Sequence, residues 1–206
     1  DQFAFRGKQY DAGLAMVHFP EEYGGLGGNR GQQAVIDDVL RSYGVTYEDL
    51  RINPIGIGMG APTVLAYGSE ELKQKHLRKI FTGEDVWCQL FSEPTHGSDV
   101  AGIPSRAIRD GDEWIVNGQK VWTSRAEHSD LMLLLARTTP RDQVQSKTEG
   151  LSIFLIDMRT VVGKGMTIKP IRTMMNHATT EVFFDNLRVP AENLIGDEGK
   201  GFRYIL

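Results

Sequence analysis

The spacing of apolar residues changes character near Val86. Before it, Val35/Ile36, Val39/Leu40 and Tyr43 recur at helical spacing and predict an amphipathic helix from about Gln32 to Tyr43. Asn53-Pro54 then opens an apolar stretch, Ile55 to Tyr67, too uniformly apolar for a surface, which predicts a buried helix. Ser69 followed by Glu70 and Glu71 is a cap residue with two acids in the first turn, where the helix dipole favours negative charge. Leu72, His76/Leu77 and Ile80 continue that helix, and Gly83 ends it.

After Val86 the apolar runs are short and alternate with period two. Strands are expected at Val86 to Phe91, Ser105 to Arg109, Glu113 to Val116, Lys120 to Thr123, Leu131 to Arg137, Leu151 to Asp157, Met166 to Ile171 and Glu181 to Val189. Asn117-Gly118 is a strong two-residue hairpin signal and Asp110-Gly111 a fair one. Many short strands with no helix between them imply an antiparallel sandwich or barrel. The fold class is therefore α+β and multi-domain, with a helical N-terminal module and then an antiparallel β-barrel or sandwich. The expected boundaries are 1–85 for the helical part, 86–195 for the β part and 196–206 for the start of a further helical domain. Gly201 to Leu206 read as a helix cut off after its first turn.

Composition narrows the function classes. A chain of 206 residues with 40% hydrophobic and 24% charged residues can bury a sizeable core. Its net charge of −4 argues against nucleic acid as a partner, since that needs a basic face. The longest apolar run, Leu131 to Ala136, is strand-sized, so no membrane span is expected. A single cysteine, Cys88, excludes an internal disulfide and suits a reducing compartment. The five histidines (18, 76, 96, 128 and 177) form no i, i+4 pair and have no cysteine cluster beside them, so no zinc site is expected.

Several glycine and serine patterns carry less than they suggest. Gly56-x-Gly58-x-x-Ala61 meets the dinucleotide fingerprint, but Asn53-Pro54 precedes it and no βαβ unit follows, so these glycines are read as allowing close helix packing. Tyr23 to Gly28 lacks the lysine and hydroxyl of a phosphate loop and reads as a flexible turn. Ser98 follows Gly97, yet Val100 breaks the nucleophile-elbow pattern. The informative stretch is Phe91-Ser92-Glu93-Pro94-Thr95-His96-Gly97-Ser98-Asp99-Val100-Ala101-Gly102. It leaves a strand with small hydroxyl residues, a proline and two glycines, so its backbone amides can point at a ligand. Some twenty residues on, a strand ends in Val121-Trp122-Thr123-Ser124. An indole there can lie against a flat ring, with a hydroxyl beside it to donate to a ring heteroatom.

Taken together, these segments resemble the acyl-CoA dehydrogenase family, in that family's order. Phe-Pro-Glu-Glu-Tyr-Gly-Gly-Leu-Gly-Gly (19–28) looks like its N-terminal signature and Leu90 to Gly102 like its flavin loop. Asn117-Gly118-Gln119-Lys120-Val121-Trp122-Thr123-Ser124 is similar to its second flavin segment. Glu181-Val182-Phe183-Phe184-Asp185-Asn186-Leu187-Arg188-Val189-Pro190, then Glu192-Asn193, looks like the strand leaving its β domain. Ser92 stands where threonine is usual, which keeps the hydroxyl, and Thr95-His96 stands where Gly-Ala is frequent.

The resemblance implies FAD as cofactor and α,β-desaturation of an acyl-CoA thioester, a role in fatty acid β-oxidation among them. Backbone groups of Phe91 and the Ser92 hydroxyl would bind the pyrimidine side of the flavin, and Ser98 would lie between the pyrophosphate and the thioester's pantetheine arm. Trp122 would pack on the ring with Thr123 alongside, and Ser124 would face N5. The catalytic glutamate is expected beyond Leu206, so the chain by itself is expected to be inactive. An electron-transfer flavoprotein as electron acceptor, a homo-oligomer (dimer or tetramer), and a bacterial cytoplasm or mitochondrial matrix follow from the same resemblance. Acyl-CoA oxidases and flavin monooxygenases share the fold, and a module that merely holds a CoA ester is the non-catalytic alternative. Arg141 and Lys147 flank a polar insertion, Thr138 to Glu149, near the expected CoA entrance, although solvated loop charges are the better reading.

Overall fold

A computed structural model describes residues 2–45, 53–174 and 178–206, so His177 lies outside the described residues. They form two compact units, Asp1–Val86 and Trp87–Leu206. The first is helical and the second is built on one eight-stranded, mostly antiparallel sheet. Among the described residues, no helix is long and apolar enough to cross a membrane.

In the helical unit, α1 (Gln2–Asp11), which no periodicity announced, packs on the cap-and-glycine helix. Asn29 opens α2 (Arg30–Ser42) with a reciprocal capping box: its side chain accepts from Gln32 N and the Gln32 side chain accepts from Asn29 N. Helix α2 buries none of its residues in this chain; Val35, Val39 and Tyr43 are all more than half exposed. The apolar stretch after Asn53 is helical, with a π turn at Gly56–Gly60 leading into α3 (Ala61–Tyr67). Gly56, Gly60, Ala61, Thr63 and Val64 are buried while other positions stay part-exposed, so the expected buried helix is buried along one side. Close packing holds at Gly56, where a Cβ would meet the Asn53 side chain, but not at Gly58, which faces open space.

Helix α4 (Glu70–Thr82) behaves as its pattern required: the Ser69 hydroxyl accepts from Leu72 N, and Gly83 closes the helix at φ 86°. The Arg78 guanidinium grips Asp11 at 3.0 and 3.1 Å, tying α4 to α1. The Tyr23–Gly28 run is a bonded turn rather than a loose one. Leu26 and Gly28 donate to Val17 O and Gly27 to Phe19 O, while the Tyr23 hydroxyl donates to Glu70.

The β unit contains β1 (Trp87–Leu90), β2 (Arg106–Asp110), β3 (Glu113–Ser124), β4 (Leu131–Arg137), β5 (Leu151–Asp157), the short α5 (Met158–Val161), β6 (Met166–Pro170), β7 (Thr179–Pro190), β8 (Leu194–Ile195) and the short α6 (Gly201–Tyr204). The sheet runs β6-β7-β3-β2-β4-β5-β8, with β1 also on β4. It is not closed into a barrel, and β1 and β2 pair with β4 in parallel. Strand β4 is buried along its whole length, as its unbroken apolar run requires. The sheet curls until Trp114 of β3 meets Phe154 of β5 edge to face, with ring centroids 5.4 Å apart. Cys88, Leu134, Ile156, Val182 and Leu187 fill the same core. Burial pushes the Cys88 thiol up to about 12.

One expectation is overturned here. Asn117-Gly118 does not turn a hairpin; it lies inside the twelve-residue β3 opposite a bulge in β7, where two residues, Asp185 and Asn186, face the single Asn117 between the pairs Val116–Leu187 and Gly118–Phe184. The Asn117 side chain accepts from Asn186 N at 2.9 Å and donates to Asn186 Oδ1 at 3.3 Å, and Asn186 itself sits at φ 49°. Asn186 in β7 and Gly118 in β3, at φ 152°, supply the positive-φ tolerance that a bulge needs as much as a tight turn does. Asp110-Gly111 makes the real hairpin, with Asp110 opposite Glu113.

Two outcomes follow. Gly118 has φ 152° and an added Cβ would collide with Ser105, so Gly118→Ala should cost on the order of 2 kcal/mol in chemical denaturation; an unchanged midpoint would refute the close approach. Burial also holds the His76 imidazole below its ordinary 6.5, an effect that neighbouring Asp85 only partly offsets. With the folded value below the unfolded one, the unfolded chain binds the proton first as pH falls. Amide-exchange protection of α4 should therefore be full above about pH 6.5 and decline below it, and His76→Gln should remove that decline.

Candidate functional site

Where β1 ends, the chain turns across β3 instead of continuing as a strand. Val121 N donates to Ser92 O at 3.0 Å, and Lys120 Nζ donates to Phe91 O at 3.0 Å. The loop then closes on itself through mutual Glu93–His96 backbone hydrogen bonds. The His96 ring lies where a side chain at position 102 would be, so Gly102 accommodates the Thr95-His96 departure noted in the sequence.

Beside Ser92, β3 contains a second irregularity. Its register on β7 shifts again between Lys120 and Thr123, and Trp122 stands at φ 60°, the left-handed region that a bulky side chain rarely occupies. Lys120 and Val121 are both buried across the shift, while the indole stands outward, 63% exposed, with Thr123 inward and Ser124 outward. Thr123 O accepts from the Thr180 hydroxyl at 3.0 Å, and Ser124 stands opposite Thr179. These contacts fix the chain after the irregular residue, and the Val121 N bond to Ser92 O fixes it before.

The backbone thus brings Phe91 and Ser92 to the strand segment that carries Trp122, Thr123 and Ser124, from sequence positions some thirty residues away. Ser98 is exposed further along the loop. Its neighbour Asp99 forms an ion pair with Lys147 at 2.7 Å, which holds the Asp99 carboxyl below its ordinary value. Buried Arg137 supports both loops, donating to Ala101 O at 2.8 Å, Glu149 O at 3.0 Å and Lys147 O at 3.2 Å. Arg141 donates to Val144 O within its own loop. A cleft of about 500 Å³ lies beyond Ser124, lined by Ala126, Glu127, Met158, Val162 and Met166; none of the six site residues lines it.

The buried polar pair that sequence reading passed over is Lys120 and Glu93. Lys120 is fully buried, with Nζ 2.6 Å from Glu93 Oε1. Glu93 also accepts from Ser105 N at 3.1 Å. Burial pushes the Lys120 ammonium down to about 8, while the Glu93 charge and hydrogen bond resist that fall. The sequence held no clear signal for the pair, because Lys120 follows polar Asn117 and Gln119 and strict alternation with an inward Val121 would turn it outward.

An exposed, backbone-fixed indole with the outward Ser124 two residues on and the Ser92 loop bonded alongside is equipped to stack on a flat heteroaromatic ring and hydrogen-bond its rim. The helical-then-β organisation around it is that of a known class of enzyme. The family model for the acyl-CoA dehydrogenase N-terminal domain matches residues 3–84, and that for the middle domain matches residues 88–187. The chain belongs to the acyl-CoA dehydrogenase family.

Among curated proteins it is 33% identical over 193 residues to the acyl-CoA dehydrogenase FadE26 of Mycobacterium tuberculosis, covering 94% of this chain and 46% of that protein. It is 35% identical over 200 residues to a glutaryl-CoA dehydrogenase of Desulfococcus multivorans, covering 95% and 49%. The solved ChsE4-ChsE5 complex from Mycobacterium tuberculosis matches with a TM-score of 0.77 at 31% identity, covering 99% of this chain and 50% of that one. The chain thus spans about half the length of these relatives.

Positive φ at an exposed tryptophan costs stability and is kept only where the surroundings impose it. Trp122→Asn, with a side chain that tolerates the left-handed region, should leave folding stability equal to wild type or up to about 1 kcal/mol higher. A loss of about 2 kcal/mol or more would show that the indole is structural.

Proposed function

We propose that the chain forms the flavin-ring and thioester-binding part of an FAD-dependent enzyme that desaturates an acyl-CoA between Cα and Cβ. The observation that carries this reading is the outward indole of Trp122, held at positive φ directly beside the Ser92 loop. When bound, FAD supplies the acceptor for the hydride that leaves Cβ. In this reading Phe91 backbone groups and the Ser92 hydroxyl hold the pyrimidine edge of the ring. Trp122 would pack on the ring with Thr123 alongside, Ser124 would face N5, and Ser98 would lie between the pyrophosphate and the pantetheine arm.

The α-proton of a thioester is weakly acidic, so a positioned carboxylate must remove it while donors polarise the carbonyl. We assign that role to no acid within residues 1–206. An acyl-CoA as substrate, an electron-transfer flavoprotein as acceptor and a homo-oligomeric assembly complete the reading. The relatives named above include a glutaryl-CoA dehydrogenase, so the acyl group need not be a simple fatty chain.

The purified holoenzyme should show a flavin absorption spectrum that bleaches when an acyl-CoA is added without oxygen. Rapid turnover with oxygen alone would point to an oxidase, and the absence of bound flavin would reject the reading. Trp122→Ala should weaken FAD binding by about 2 kcal/mol, roughly thirtyfold in Kd, through lost burial and stacking. Unchanged affinity in a fluorescence titration would exclude ring contact.

A further inference from the structure

The buried ion pair of Lys120 and Glu93 has no place in the roles given so far, yet its geometry points to one. A lysine and a glutamate inside an apolar core cost desolvation that a hydrophobic pair would avoid. Their bonds join three separate segments. Lys120 Nζ reaches Phe91 O at 3.0 Å and Glu93 Oε1 at 2.6 Å. The Glu93 carboxylate receives Ser105 N through both oxygens, at 3.3 and 3.1 Å. Between the two bonds of Lys120, Ser92 O receives Val121 N. Three successive loop residues are therefore bonded to two successive strand residues, and the next strand residue is Trp122.

We infer that Lys120 and Glu93 are positioning residues that set the distance between the Ser92 edge and the Trp122 face of the ring site. The ammonium holds the Phe91 carbonyl from below, so the hydroxyl of the following residue is presented at a fixed height beside the indole. The carboxylate fixes the ammonium in turn, and through Ser105 N it ties the site to the entry of β2. A hydrophobic pair of similar volume would pack the same space but leave the Phe91 carbonyl without this donor and the loop free to slide along β3. Both groups touch backbone and each other rather than the ring, so they act through Phe91, Ser92 and Trp122.

This inference rests on the flavin reading, and its test separates the two. In the holoenzyme, Glu93→Gln keeps the size and acceptor of the side chain and removes one charge. The double variant Glu93→Gln with Lys120→Met removes both charges, so no lone buried ion endangers folding. The double variant should unfold cooperatively near the wild-type midpoint, bind FAD at least tenfold more weakly and show a displaced, less structured flavin absorption band. Glu93→Gln should move the same two readouts in the same direction by a smaller step. Wild-type FAD affinity and an unchanged flavin band in both variants, with Trp122→Ala still losing FAD, would reduce the pair to a structural role and overturn the inference alone. If Trp122→Ala also leaves FAD binding intact, the flavin reading falls and this inference falls with it. A double variant that fails to fold, beside a folded Glu93→Gln with an unaltered flavin band, likewise overturns it.

Discussion

The long antiparallel ladder between β3 and β7 is the constraint on which the β unit depends. Twelve residues on each side pair almost end to end, yet the pairing slips twice, at Val116/Gly118 and at Lys120/Thr123. The first slip adds one unmatched residue to β7 and the second adds one to β3, and each locally disrupts the ladder and increases its twist. The first lets β3 pass close over Ser105, where no side chain fits at position 118. The second leaves Lys120 and Val121 buried in succession and sets Trp122 at φ 60°. A regular ladder would alternate strictly, so both could not face inward and Trp122 would keep an ordinary extended backbone. The irregularities give the strand a presenting edge, and the bonds from Thr180, Ser92 and Lys120 hold that edge in place.

Much of this was legible in the sequence. Strands β4 and β5 fall on their expected residues because a long apolar run can only be a strand buried on both faces or a helix, and seven residues between turn signals is strand length. The cap serine and terminal glycine of α4 were equally direct. The Asn117-Gly118 signal was real but ambiguous, because sequence reports a need for positive φ without saying whether a turn or a bulge uses it. Helix α1 left no clear trace, since its two phenylalanines stay largely exposed and its buried positions are Arg6, Gly7 and Gln9. The site was legible as two motifs, but its coherence was not. The link between them runs through Lys120 and backbone carbonyls, and neither hydropathy nor spacing encodes a lysine reaching back across twenty-nine residues.

The helical unit shows the complementary case, in which sequence announces a surface that this chain does not cover. Helix α2 carries a clear apolar stripe and a reciprocal cap, so its local code is complete, yet Val35, Val39 and Tyr43 remain in solvent. The apolar helix ending in α3 is buried along one side only. Amphipathic periodicity reports that a face is suited to burial; it does not say what buries it.

Cys88 adds a practical consequence. Its sulfur lies wholly inside the β core, 3.5 Å from the thioether of Met158, and its thiol holds its proton far above neutral pH. A buried, protonated thiol is a poor nucleophile, so alkylating reagents and mild oxidants meet almost none of the reactive form while the core is closed. Because the chain has no other cysteine, every modified molecule marks one opening of that core. The rate of labelling therefore becomes a clock for the deepest breathing motion of the β unit, read from a single native atom without introducing a foreign probe.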